Sequence, residues 1–104
     1  MHAQITARHF EADPMLRQHV AEQLSKLDKC YDGITGAHIV LENGKASSND
    51  KRAEITLSVY RQRLSATDTA SSHEVAVSRC VNRLRRQILR YKSRLRDPNL
   101  DKHR

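Results

Sequence analysis

The stretch that most limits how this chain can fold runs from Ser71 to Arg96. Its apolar residues, Val77, Val81, Leu84, Ile88, Tyr91 and Leu95, recur at alternating spacings of four and three. That period places all six on one stripe of an α-helix. A second set, Arg79, Arg83, Arg86, Arg90 and Arg94, falls on another stripe roughly opposite the first at about 100° per residue. Arg85, Lys92 and Arg96 add to the charge, and no Asp or Glu occurs from Val75 to Arg96. One face of such a helix must be buried, and the other holds a row of guanidinium groups toward solvent or a polyanion.

The ends of this helix carry local signals. Ser71-Ser72-His73-Glu74 reads as a capping box with Ser71 at the N-cap and Glu74 at N3. Asp97-Pro98 marks the end, because Pro cannot continue a helix and restricts the residue before it. A helix face that merely meets water usually mixes signs, with Glu placed four residues from Lys or Arg. Like charges at that spacing cost a few tenths of a kcal/mol per pair. An uncompensated basic run of this length points instead to a polyanion.

The charge distribution agrees. The 104 residues carry a net charge of +7. Residues 1–52 hold seven Lys/Arg and seven Asp/Glu, whereas residues 53–104 hold twelve and five. A basic surface confined to one half is the electrostatic footprint of a phosphate-bearing partner. A membrane partner is not expected, because the apolar stripe is narrow and is needed for the core. No apolar run reaches transmembrane length and the N-terminus has no signal-peptide pattern, so the expected location is the cytoplasm. Cys30 and Cys80 lie near apolar helix faces without zinc or C-x-x-C spacing, and read as small buried hydrophobes.

In chain order, Gln4 to Arg8 alternates as a short strand with Ile5 and Ala7 inward. Asp13-Pro14 is an N-cap followed by Pro at the first helical position. The helix it starts runs to about Cys30, with Leu16, Val20, Leu24 and Leu27 on one face and mixed charges on the other. Gly33 and Gly36 bracket a turn. Ala37 to Glu42 is a strand with Ala37, Ile39 and Leu41 on one side and His38, Val40 and Glu42 on the other. Asn43 to Lys51 is a polar, mobile connection. Arg52 to Tyr60 is the clearest strand, followed by a tight turn at Arg61-Gln62 and a fourth strand from Arg63 to Thr67. The expected fold is α+β, a β-α-β-β-β-α two-layer sandwich with two helices on one face of a four-stranded sheet. The first strand is expected to lie parallel to a neighbour and the other three to pair antiparallel. Residues 1–96 form a single domain, and 97–104 a short polar tail expected to be disordered.

Catalysis is not expected. Six histidines show no catalytic or ligand spacing, no glycine loop cradles phosphate, and neither a metal nor a cofactor is expected. Among nucleic-acid modules, the four aromatics leave only Tyr60 on a strand, too few for base stacking on a sheet, and there is no GXXG loop. Asn82 and Gln87 alone stand among the arginines as base readers. What remains is shape and phosphate recognition of folded RNA by a basic helix face. A general structured-RNA module fits the same residues. A homodimer using the Val77–Leu95 stripe as a coiled coil is the alternative of another class. Its flanking positions lack Glu to pair with Arg, so two copies would repel and a monomer is expected.

Three blocks of residues resemble the ribosome hibernation promoting factors and ribosome-associated inhibitors, also called sigma-54 modulation proteins. They are Ile5-Thr6-Ala7-Arg8-His9-Phe10-Glu11, then Leu24 to Ile34 (LSKLDKCYDGI), then Ala76-Val77 with Asn82 to Ile88 (NRLRRQI) and Tyr91-Lys92. Together, in this order, they span most of the chain. The resemblance implies a fold similar to double-stranded-RNA-binding domains. It also implies binding in the decoding channel of the small ribosomal subunit, where the protein would block mRNA and tRNA sterically under stress. Carried over by position, the RNA-facing residues would be Lys26, Lys29, Arg79, Arg83, Arg86, Arg90, Lys92 and Arg94. The family often has Tyr where Glu74 stands and Asp where Ser78 stands. The chain looks like a short form; such forms pair ribosomes with the help of a second factor or inactivate single ones.

Overall fold

A computed structural model describes residues 1–44 and 50–95. The element order is β1 (His2–Arg8), α1 (Pro14–Cys30), β2 (Gly36–Asn43), β3 (Lys51–Val59), β4 (Gln62–Ala70) and α2 (His73–Leu95). The strands form one sheet in the order β1-β2-β3-β4. β1 runs parallel to β2, and the pairs β2–β3 and β3–β4 are antiparallel. Architecture and pairing are those the alternation pattern implied.

The first helix begins where Asp13-Pro14 says it should. The Asp13 carboxylate accepts a hydrogen bond from the Leu16 amide at 2.8 Å, and Pro14 takes the first helical position, where no amide is needed. The cap of α2 falls one residue later than the expected Ser71. Ser72 is the cap: its carbonyl accepts from the Ala76 amide and its hydroxyl from the Val75 amide at 3.2 Å. Glu74 therefore sits one place short of N3, and the reciprocal capping box does not form. Ser71 and Ser72 can both cap, and the extension of β4 to Ala70 decides between them. The Asp97-Pro98 stop and the polar tail lie outside the described residues, as does the middle of the connection after β2. That connection is closed by the Gly44 amide donating to the Asp50 carbonyl at 2.7 Å.

Leu16, Val20, Leu24 and Leu27 of α1 and Val77, Val81, Leu84, Ile88 and Tyr91 of α2 are buried in one cluster with Ile39, Leu41, Ala53, Ile55, Leu57 and Leu64 of the sheet. Leu95 is half-buried against it. The α2 stripe is thus consumed by its own sheet, and no seam remains for a coiled coil. Val40, expected on the polar side, is also buried. It sits between its register partners Thr6 and Glu54, in the middle of the sheet. The hairpin turn comprises Tyr60-Arg61, one residue earlier than expected, because Val59 pairs with Gln62. Arg61, the second residue of the turn, has a positive φ of 64°. Cys80 is fully buried and its thiol donates to the Ala53 carbonyl at 3.4 Å, while Cys30 is half-buried; both are free thiols.

The helices run parallel. Near their starts, His19 Nε2 of α1 donates to the Glu74 carbonyl at 3.1 Å and lies 3.3 Å from Ser78 Oγ. Near their ends, Lys92 Nζ donates to the Cys30 carbonyl at 2.8 Å. Parallel helices bring like dipole ends together, and an ammonium at the paired C-termini offsets that repulsion. Tyr31 and Tyr91 meet edge to face at 5.6 Å nearby, and side-chain-free Gly33 lets the Tyr31 ring lie against the backbone. At the other end of the sheet His73, buried, stacks on Phe10 at 4.6 Å and bonds through Nε2 to the Glu42 carbonyl at 3.1 Å. The opposite sheet face carries an ion-pair row in which Glu42 takes Arg8 and Arg52, and Arg52 also reaches Glu54.

Candidate nucleic-acid interface

α2 lies over β3 and β4, and β4 is an edge strand. Every second carbonyl of an edge strand points away from the sheet and lacks a strand partner. Here α2 supplies the missing donors. Arg79 Nη1 donates to the Thr69 carbonyl at 3.0 Å, Arg83 Nη1 to Thr67 at 3.1 Å, and Gln87 Nε2 to Ser65 at 2.9 Å. The donors are four residues apart on the helix and the acceptors two apart on the strand. Four helical residues rise about 6.0 Å and two strand residues about 6.8 Å, so the steps nearly match.

Arg83 also pairs with Asp68 at 3.3 Å. The Asp68 side chain is only 16 % exposed and points to the helix side of the sheet, beside Cys80. Burial, with this carboxylate adding to it, pushes the Cys80 thiol up to about 11. A groove lined by Asp68, Arg79, Asn82, Arg83 and Arg86 opens along the flank. The first half of the arginine stripe therefore leans onto the β4 edge instead of standing opposite the core.

The second half is different. Arg86, Arg90 and Arg94 are exposed and make no hydrogen bond or ion pair with another described residue. Arg90 and Arg94 line a second groove with Gln62, Leu64, Gln87 and Tyr91. On α1, Lys26 and Lys29 are exposed; Lys26 Nζ reaches Gln23 Oε1 at 3.5 Å. Lys92 is half-buried between the helix ends, where its ammonium holds the Cys30 carbonyl. Of the eight residues singled out from the sequence, three of α2 thus bond to no other described residue, two are tied to β4 and one ties α2 to α1. Gln87, a candidate base reader, is engaged on β4, while Asn82 stays on the groove wall. Asp68 and the β4 carbonyls escaped sequence reasoning, because a side chain meeting a backbone acceptor leaves no pattern in residue types.

Other chemistry is sparse. Among the described residues no group of three His, Cys, Asp or Glu side chains could hold a metal ion, and no helix is long and apolar enough to cross a membrane. His38 is exposed and hydrogen bonds with Thr6 Oγ1 at 3.1 Å on the open sheet face. His9 follows β1 with a positive φ of 65°.

Comparison with known proteins places the fold. The chain matches the ribosome hibernation promotion factor of Deinococcus radiodurans at 29% identity over 93 residues, 88% of this chain but 49% of that protein. It therefore spans about half the length of that relative. Against the ribosome hibernation promoting factor of Pseudomonas putida the identity is 23% over 94 residues, 90% of this chain and 89% of that one. A ribosomal subunit interface protein from Coxiella burnetii superposes with a TM-score of 0.81 at 22% identity, covering 89% of this chain and 99% of the other. The N-terminal domain of Thermus thermophilus Protein Y gives 0.78 at 26% identity, with 88% and 99% covered. The sequence model described as sigma 54 modulation protein / S30EA ribosomal protein matches residues 3–96. With that match over nearly every described residue, on the mixed sheet and paired helices its blocks implied, the chain belongs to the sigma 54 modulation protein / S30EA ribosomal protein family.

Proposed function

We propose that this protein is a ribosome hibernation factor that occupies the decoding channel of the small ribosomal subunit and excludes mRNA and tRNA by its bulk. The observation that carries this reading is the row Arg86, Arg90 and Arg94, exposed along one helix and without an acidic partner among the described residues. A rigid helix holding such a row presents cations at fixed spacing to a folded phosphate backbone, and no covalent step is needed. Lys26 and Lys29 extend the basic surface onto α1, and Arg79 and Arg83 border it on the β4 side. The protein would act in the cytoplasm as a monomer off the ribosome, with rRNA as its principal contact. A second factor would enter only where ribosomes are paired. That its relatives are ribosome hibernation and subunit interface proteins supports this choice of partner.

The test is co-sedimentation with isolated small subunits across salt concentrations. Binding through phosphates should weaken with a log–log slope of about −0.7 to −0.9 per phosphate neutralised. Salt-insensitive binding, or none, would remove the reading. Duplex RNA added as competitor separates it from a general structured-RNA module, which would show no preference for the subunit.

A further inference from the structure

The tip of the β3–β4 hairpin carries an aromatic ring that the core does not use. Tyr60 is 60% exposed at the turn, so a large aromatic surface meets solvent there. Its backbone, not its ring, is anchored: the Tyr91 hydroxyl of α2 donates to the Tyr60 carbonyl at 2.7 Å. That bond docks the hairpin tip beside the groove in which Arg90 and Arg94 stand. The guanidinium of the next residue, Arg61, lies 5.1 Å from the centre of the Tyr60 ring. Among the described residues, no acidic side chain lines the groove.

We propose that Tyr60 is a stacking platform for one unpaired nucleobase of the bound RNA, with Arg90 and Arg94 holding the phosphates beside it. This rests on the RNA-binding reading above and adds a chemical class to it: at this end of α2 the RNA is a splayed, single-stranded nucleotide next to a folded segment. Three features favour a base over other occupants. An exposed aromatic ring among cations suits a partner that is flat on one part and anionic on the next. The positively charged Arg61 on the ring leaves the platform electron-poor, which favours π-rich bases. The backbone anchor holds the hairpin tip in place before binding, so only the side chain must be ordered when a base arrives.

Two measurements on the full chain test this. The first is small-subunit binding by Tyr60→Ala and Tyr60→Phe. Loss of one stacked base weakens binding roughly fivefold to hundredfold. Tyr60→Ala should show that loss with an unchanged salt slope, because no phosphate contact is removed, and Tyr60→Phe should bind like the parent. The second is quenching of tyrosine fluorescence by oligoadenylate. Tyr91 is buried and Tyr31 half-buried, so Tyr60 is the accessible fluorophore, and quenching should vanish in Tyr60→Ala. Full binding by Tyr60→Ala overturns the proposal and leaves the ribosomal reading intact. Equal losses in both variants would mean that the hydroxyl, not the ring, is used, and also overturn it. Weakened subunit binding without any quenching by oligoadenylate would point to a protein surface under the ring and overturn the base. If the parent fails to bind subunits, the ribosomal reading falls, and the quenching result alone decides the platform.

Discussion

The two halves of α2 spend the same residue type on different tasks. Arg79 and Arg83 reach sideways to carbonyls of β4, and Arg83 meets Asp68 as well. Arg86, Arg90 and Arg94 reach nothing among the described residues. Helical periodicity gives all five one stripe, yet only Arg79 and Arg83 of it bond to the edge strand. A guanidinium with five donors and a planar fork can serve a backbone acceptor or a phosphate equally well. Position against the sheet therefore separates structural cations from available ones, and residue type does not.

The sharpest break between the halves is charge reversal. Arg86→Glu, Arg90→Glu and Arg94→Glu combined should lower small-subunit affinity by at least about a hundredfold, through lost phosphate contacts and new repulsion. Unfolding by urea should move by less than about 1 kcal/mol, as for other exposed sites. Unchanged binding would assign the interface to another surface. Next in size is the alkaline response of Cys80, which belongs to the tied half and faces the sheet. Its thiol pKa is raised from 9.0 to about 11, so its stabilising effect is complete below pH 9 and fades as pH rises through 11. Relative to Cys80→Ala, the parent should lose up to ~2–3 kcal/mol across that window, read by urea unfolding at each pH.

Smaller effects follow on the β4 edge. Arg79→Ala or Gln87→Ala should each destabilise by about 0.5–1 kcal/mol, and lower subunit affinity less than loss of Arg90 does. Equal binding losses for Arg79→Ala and Arg90→Ala at equal stability would erase the distinction between the halves. Asp68→Asn should have the smallest effect on binding, and of opposite sign. It removes the carboxylate that competes for Arg83, and affinity should rise by a few-fold at low salt and lose that gain as salt is added.

Much of this architecture could be read from residues alone. Asp13-Pro14 announced α1 because cap and proline act locally, and the Val77–Tyr91 stripe announced α2 because burial demands a period. The Arg52–Tyr60 alternation announced β3 for the same reason. The errors lie where two local choices were equally good and a distant contact chose. Ser71 and Ser72 could both cap, and β4 settled the matter by extending to Ala70. Val40 looked solvent-facing by alternation, yet its neighbours Thr6 and Glu54 close over it. At the site, the basic row was legible, but its division was not. Nothing in the residue types of β4 declares that its outward carbonyls will claim Arg79, Arg83 and Gln87.

The near-match of step lengths along that edge has a further consequence. Helix and strand act as two rulers with slightly different graduations, drifting apart by about 0.8 Å at every mark. Three marks can be aligned before the drift approaches the tolerance of a hydrogen bond. At the fourth, Tyr91 has slipped out of step and takes the carbonyl of Tyr60 in the turn instead of that of Arg63. Mismatch between the two scales thus limits how far a helix can be laced to a strand, and Arg90 and Arg94, past that limit, bond to no other described residue.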